Sequence, residues 1–240
     1  IKQVDYSALT NNPDKPLFNK VASGGYPIGS TIKPLVSAAG LQEGVITPDT
    51  TIDDRGKIEV KNIYDPSIVY TFKGWKPEGL GPVNVFRAIA MSSDVFFYYI
   101  GGGFQDFKGL GAARLLKYYD SFGFGHKTGL DSGDESAGYV PTPEKRKQQT
   151  GEEWGTGNTY NMSIGQDDLR VSPLQLAVAI SSIANGGKLV QPRLVQAVLD
   201  PQGKVVREIQ PQVVREGFIK PEYLEIVRQG MRQTMLEGTG

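Results

Sequence analysis

Between Ser172-Pro173 and Asn185-Gly186-Gly187 runs an apolar stripe that reaches Ala184. A capping serine, a proline whose missing amide costs nothing in the first turn, and a glycine pair after the last apolar residue predict a sharply bounded helix over 173–185. That stripe needs other apolar surface to cover it, so the chain must build a core from packed helices. More helical periodicity follows from this start. From Ser30, Ile32, Leu35, Val36 and Ala39 recur at i, i+3, i+4 and i+7. Further helices are predicted around 83–91, over 95–100, about 108–121 and roughly 221–236, the third ending at the glycine cluster "FGFG".

Strand signals are short. Residues 57–61 and 68–72 read as strands around a turn at Asp65-Pro66, and a hairpin near 193–199 and 204–209 closes through "DPQG". Residues 1–28 read as an irregular lead-in, and 130–160 as a long loop region rich in Gly, Pro, Thr and Glu. Helices dominate, with a few peripheral strands. At 240 residues there is enough chain for one large domain or two small ones.

Composition removes whole classes of chemistry. Lys+Arg and Asp+Glu both number 26, so no global field gathers nucleic acid or anionic lipid. The short basic run "EKRKQQ" at 144–149 reads as a solvated surface. Without cysteine there is no disulfide, thiol nucleophile or thiolate zinc site. One histidine, His126, leaves metal sites to carboxylates alone, and "DSGDESAG" departs from the calcium-loop spacing, so neither metal nor cofactor is expected. No apolar run approaches the ~18 residues of a membrane span, and no signal-like segment opens the chain. An export signal or anchor is therefore expected outside these residues. Nucleophile elbows, phosphate-cradling loops and dinucleotide fingerprints are missing from the sequence as well.

What remains is serine chemistry. Ser30 and Lys33 lie three apart at a predicted helix start, on neighbouring positions of one face, while the apolar stripe points elsewhere. That reading leaves the serine–lysine face clear of the core, with the lysine amine placed to take the serine's proton. A neutral lysine requires desolvation or a crowd of cations. Taken alone the spacing carries little, since it arises about once by chance in a chain this long. Ser92-Ser93-Asp94, between two predicted helices, could relay a proton or orient a lysine, or could simply cap the helix that follows. "HKTG" at 126–129 imitates a Lys-Thr-Gly substrate-binding strand, but its glycine-rich, non-alternating setting predicts a loop away from the cleft, with His126 structural.

In combination these residues identify a family. A Ser-x-x-Lys helix start followed about sixty residues later by a Ser-x-Asn/Asp corner is the order found in serine penicillin-binding proteins and the related β-lactamases. "YPIGSTIKP" resembles the active-site segment of class B penicillin-binding proteins, and "SSDVFFYYIG" resembles their second motif in its elongation-type, Asp-bearing form. "FGFGHKTGLDSGDESAGYVPTPE" is similar to a family segment outside the cleft, and "YNMSIGQDDLRVSPLQLAVAISSIANGGKLVQPRLV" to the helix and hairpin before the third motif.

The resemblance implies an α+β fold of the penicillin-binding transpeptidase and serine β-lactamase type. It implies that Ser30 is acylated by a peptidoglycan stem peptide, that Lys33 is the base, that Ser92 conducts the proton, and that Asp94 lines the cleft as a substrate-binding residue. An acceptor amine from another stem would then complete a cross-link, and β-lactam antibiotics would acylate the same serine. Residues 1–240 are expected to form a partial, helix-dominated transpeptidase domain. Its third motif, Lys-Ser/Thr-Gly, and most of the central antiparallel sheet are expected to be absent, so its activity is expected to be impaired. The setting implied is the extracytoplasmic, periplasmic face of the bacterial inner membrane, with cell-wall elongation proteins as partners. A β-lactamase-like hydrolase and a non-catalytic peptidoglycan- or partner-binding module are the alternatives.

Overall fold

The computed structural model describes residues 3–62, 65–131 and 133–239. It opens with α1 (Gln3–Thr10), a helix where an irregular lead-in was expected. The polar breakers Asn11, Asn12 and Pro13 come only after it, and the Thr10 hydroxyl donates back to the carbonyls of Tyr6 and Ser7. A 3-10 turn at Gly29–Ile32 then leads straight into α2 (Lys33–Gln42). Four short strands follow, β1 (Ile52–Asp54), β2 (Lys57–Lys61), β3 (Val69–Lys73) and β4 (Gly81–Val83). Next come α3 (Val85–Ala90), α4 (Asp94–Gly102) and α5 (Gly111–Ser121), close to their predicted limits.

The expected loop over 130–160 is corrected by two helices, α6 (Pro143–Thr150) and α7 (Thr156–Ser163). The first has an N-cap at Thr142, a proline in its first turn and a left-handed Gly151 at its end. It buries no residue, which is why no apolar stripe announced it. The long amphipathic segment forms α8 (Pro173–Ala184), with Ser172 and Gln175 in a reciprocal capping box. After it come β5 (Leu189–Val190), β6 (Ala197–Leu199), β7 (Val205–Glu208), β8 (Val213–Arg215) and α9 (Pro221–Glu237).

The described strands make four two-stranded antiparallel sheets: β1–β4, β2–β3, β5–β8 and β6–β7. Two are the predicted hairpins. The other two pair segments distant in sequence and were not expected. The overall arrangement is the helix-dominated α+β form with peripheral hairpins.

At the centre lies α2. Every residue from Lys33 to Leu41 is buried, and α3, α4, α5, α8 and α9 all touch the helix. The surrounding core is aromatic, including Phe96, Phe97, Tyr119, Phe122 and Phe124. Burying a Phe or Leu side chain contributes about 1.5–3 kcal/mol each, so this helix is the thermodynamic centre of the molecule. The buried Tyr119 hydroxyl donates to the Met162 carbonyl at 2.5 Å, which keeps α5 and α7 in register without an orphaned polar group.

Three ties position the entry to α2. Tyr26 exchanges backbone bonds with Val171, and Arg170 with Tyr139, so the strand-like segment before the turn is stitched to the start of α8. The Gly29 amide donates to the Gly165 carbonyl at 3.0 Å. Gly165 sits at φ +74°, and a Cβ there would lie 2.0 Å from the Gly29 carbonyl oxygen. On the opposite side, α9 crosses α3 where Gly230 admits Ile89, and the Thr239 amide donates to the Ala90 carbonyl at 3.1 Å.

Two measurements check this account. Ser172→Ala removes the N-cap of α8 and should lower unfolding free energy by about 1 kcal/mol, seen in urea as a lower midpoint at unchanged slope. Gly165→Ala combines a left-handed backbone with a direct clash and should cost about 1–3 kcal/mol. Hydrogen exchange should then speed at the Gly29 amide more than at the amides inside α2.

Candidate active site

Ser30 stands in the 3-10 turn, exposed, and its carbonyl accepts the Lys33 amide as the turn passes into α2. The helix axis then carries Lys33 inward. Its side chain is not on a face clear of the core, as the periodicity implied; the residue is 1 % exposed. The correction has a simple cause: α4 packs across α2, and the lysine lies between them, its Nζ 5.5 Å from the Phe97 ring centre.

Three acceptors meet the ammonium. Nζ donates to the Ser92 carbonyl at 2.8 Å, to the Ser92 hydroxyl at 2.9 Å and to Asp94 Oδ1 at 2.6 Å. A lysine has three N–H donors, so the charged form is fully satisfied here. Burial pushes its pKa below the usual 10.5, and the Asp94 carboxylate, by charge and hydrogen bond, opposes that shift in part.

The Ser-Ser-Asp corner is shaped to make these contacts. Ser92 holds φ +54°, a left-handed conformation that costs a non-glycine residue about 1–3 kcal/mol and clusters at functional sites. That twist brings both its carbonyl and its hydroxyl to one nitrogen. Ser93 caps α4, its hydroxyl accepting the Phe96 amide at 3.1 Å. Ser93 is the cap, and its neighbours on each side hold the lysine.

Asp94 was expected to line the cleft. Instead it commits Oδ1 to Lys33 and accepts the Trp75 amide on Oδ2 at 3.1 Å. Trp75 is a residue that sequence reasoning missed. Its indole N–H donates to the Met91 carbonyl at 3.0 Å, and half of its surface remains exposed beside the corner. The only signal was a large aromatic residue set in the turn-rich segment "KGWKPEGLG".

Ser30, Lys33 and Ser92 open onto one cleft of about 420 Å³, whose far walls are Leu176 and Ile180 of α8 and Met231 and Met235 of α9. Among the described residues no hydrogen bond joins the Ser30 hydroxyl to Lys33 Nζ, whose partners are Ser92 and Asp94. A lysine that surrendered one proton would keep two donors and turn its lone pair toward Ser92 or the open cleft. The cleft thus brings together an exposed serine hydroxyl, a desolvated amine and a second serine hydroxyl bonded to that amine. Lys127 and Thr128 lie elsewhere, around a separate depression with Asp120, His126 and Arg215. Thr128 is tied to the Glu135 carboxylate in a loop, and His126 Nε2 pairs with Asp120 Oδ1 at 2.6 Å.

The relatives of the chain identify its family. Residues 2–240 match the penicillin binding protein transpeptidase domain. The peptidoglycan D,D-transpeptidase MrdA of Escherichia coli K12 is 35 % identical over 231 residues, which cover 96 % of this chain and 35 % of the relative. Among solved structures, the Pseudomonas aeruginosa penicillin-binding protein PBP2, crystallised with WCK 5153, superimposes with a TM-score of 0.81 at 31 % identity, over 100 % of this chain and 51 % of that one. PBP2 of Helicobacter pylori, solved in complex with MreC, gives 0.77 at 30 % identity, over 97 % of this chain and 39 % of that one. The chain spans about a third of the length of the curated relatives it matches. By motif, fold and relatives alike, the chain belongs to the penicillin-binding protein transpeptidase family, in the group of class B enzymes represented by PBP2 and MrdA.

Proposed function

We propose that this chain carries the acylation centre of a peptidoglycan D,D-transpeptidase. The observation that carries the reading is the buried Lys33 ammonium, gripped by Ser92 and Asp94 on the wall of the cleft that Ser30 enters. In the proposed reaction Ser30 Oγ attacks the carbonyl of the penultimate D-alanine of a stem peptide. Lys33, having lost a proton, takes the hydroxyl proton as the Oγ–C bond forms. Ser92 passes a proton to the departing amine, and the C–N bond to the terminal D-alanine breaks. The amine of a second stem then attacks the acyl-serine, restores Ser30 and leaves a cross-link. Asp94 holds the lysine between these steps. The Ser30 amide is one donor to the oxyanion, and a sheet strand bearing the family's third motif is the expected source of the other.

The same serine is proposed to take up β-lactams. Because a relative was solved with MreC, proteins of cell-wall elongation are the partners proposed here. The proposed setting is the outer face of the bacterial inner membrane. No helix among the described residues is long and apolar enough to cross a membrane, so attachment would come from elsewhere.

Labelled penicillin, applied to the chain alone and extended past Gly240 by a third-motif strand, tests the reading. The extended protein should be acylated, and mass spectrometry should put the adduct on the peptide containing Ser30. An adduct on Ser92 or Ser93 would overturn the assignment. Removing one of the two oxyanion donors from the extended protein should slow acylation about 10²–10³-fold.

Lys33→Arg supplies a second check, because a guanidinium stays protonated near neutrality. Acylation of the extended protein should fall by about 10²–10⁴-fold. In the unsubstituted protein the rate should rise with pH as the lysine deprotonates, with a midpoint below 10.5 because burial depresses that pKa.

A further inference from the structure

Asp54, at the end of β1, is 4 % exposed and forms no ion pair among the described residues. Its carboxylate accepts two hydrogen bonds. Oδ2 takes the Ser93 hydroxyl at 2.5 Å, and Oδ1 takes the Gly56 amide at 2.8 Å. A buried carboxylate without a cation is costly to keep, and stability alone would favour a neutral residue of similar size. Both hydrogen bonds lead to the same place.

The first arm ends on Ser93, the residue between Ser92 and Asp94. It leaves the Ser93 oxygen free to accept the Phe96 amide while its proton goes to Asp54, so the cap of α4 has one defined orientation. The second arm fixes Gly56, whose carbonyl accepts the Gly74 amide at 2.8 Å. The next residue, Trp75, gives its own amide to Asp94 Oδ2. The Asp54 carbonyl also accepts the Leu80 amide at 3.0 Å, closing the loop that carries Trp75. One carboxylate thus braces the lysine-holding corner from the backbone side and from the loop side.

We propose that Asp54 is a positioning residue for the acylation centre, holding Ser92 and Asp94 on Lys33 through Ser93 and through the Gly56–Trp75 loop. It touches no reacting atom. The inference rests on the reading of Lys33 as the base. The braced geometry also gives Asp54 an electrostatic effect, because its negative charge lies behind the corner and favours the ammonium form of Lys33. The other groups around that ammonium are few. On α4 there is Asp94, while the side chains of α8 and α9 that line the cleft, Thr234 among them, carry no charge.

The test follows the titration of Lys33 itself and needs no acylation, so it can fail or succeed independently of the proposed reaction. The 240-residue chain is labelled with ¹³Cε-lysine, and the Lys33 signal is assigned by its loss in Lys33→Arg. Asp54→Asn can keep both contacts, accepting from Gly56 and donating to Ser93, while removing the charge; the Lys33 midpoint should move to lower pH. Ser93→Ala keeps the charge but cuts the brace, and the loosened corner should also lower the midpoint, because the ammonium loses acceptors. Asp53→Asn, one residue away on an exposed side chain, should leave the midpoint where it is. A folded Ser93→Ala protein with the parent midpoint would overturn the proposal, since an Asp54 that served stability alone would change only the unfolding curve, and an unchanged midpoint in Asp54→Asn would overturn its electrostatic part. If Asp54→Asn does not fold, Ser93→Ala decides: a lowered midpoint supports the brace, and an unchanged or raised one overturns it.

Discussion

The structure is organised around a single buried ammonium. Removing a lysine charge from water costs several kcal/mol even after relaxation, and only close, well-aimed acceptors repay it. Here they are two oxygens of Ser92 and one of Asp94, each within 2.9 Å. Satisfying them requires a left-handed Ser92, a capped start to α4 at Ser93, and a loop that brings the Trp75 amide to the far side of Asp94. The left-handed Ser92 is unfavourable by itself, and it persists because the capped helix and the core that encloses α2 hold the backbone in place.

The enclosure of α2 also accounts for the division of labour between Ser30 and Lys33. The turn at Gly29–Ile32 keeps the serine at the surface, and the first α-helical residue already lies inside. The serine hydroxyl and the lysine amine are three residues apart yet occupy opposite sides of the water boundary. A desolvated amine holds its proton less tightly because its charged form is disfavoured, while the exposed hydroxyl stays reachable from solvent.

Much of this was legible in the sequence where signals are local. The capping box and glycine pair of α8, the hairpins at 57–73 and 193–209, and the order of the serine–lysine and Ser-Ser-Asp segments all depend on neighbours in the chain. Pairs such as β1–β4 and β5–β8 were invisible because each strand is two or three residues long and its partner lies far away. For α6 the difficulty was different: Thr142, Pro143 and Gly151 were present, but a fully solvated helix has no apolar period to reveal it. The burial of Lys33 and the brace at Asp54 were out of reach for a deeper reason. Both arise where α4 and β1 meet other elements, and nothing in residues 30–33 or 52–54 records that meeting.

The hydrogen bond from the Thr239 amide to the Ala90 carbonyl has a mechanical meaning. Ala90 ends α3, and Ser92 follows after a single intervening residue, so the tail of α9 is coupled through rigid backbone to the acceptors of the ammonium. Gly230 lets α9 lie directly against Ile89 of α3, with little compressible side chain between the two helices. A tilt of α9 would therefore reach the lysine as a displacement of its oxygens. In that geometry α9 is a lever with its fulcrum at Gly230 and one arm ending beside the oxygens that hold Lys33.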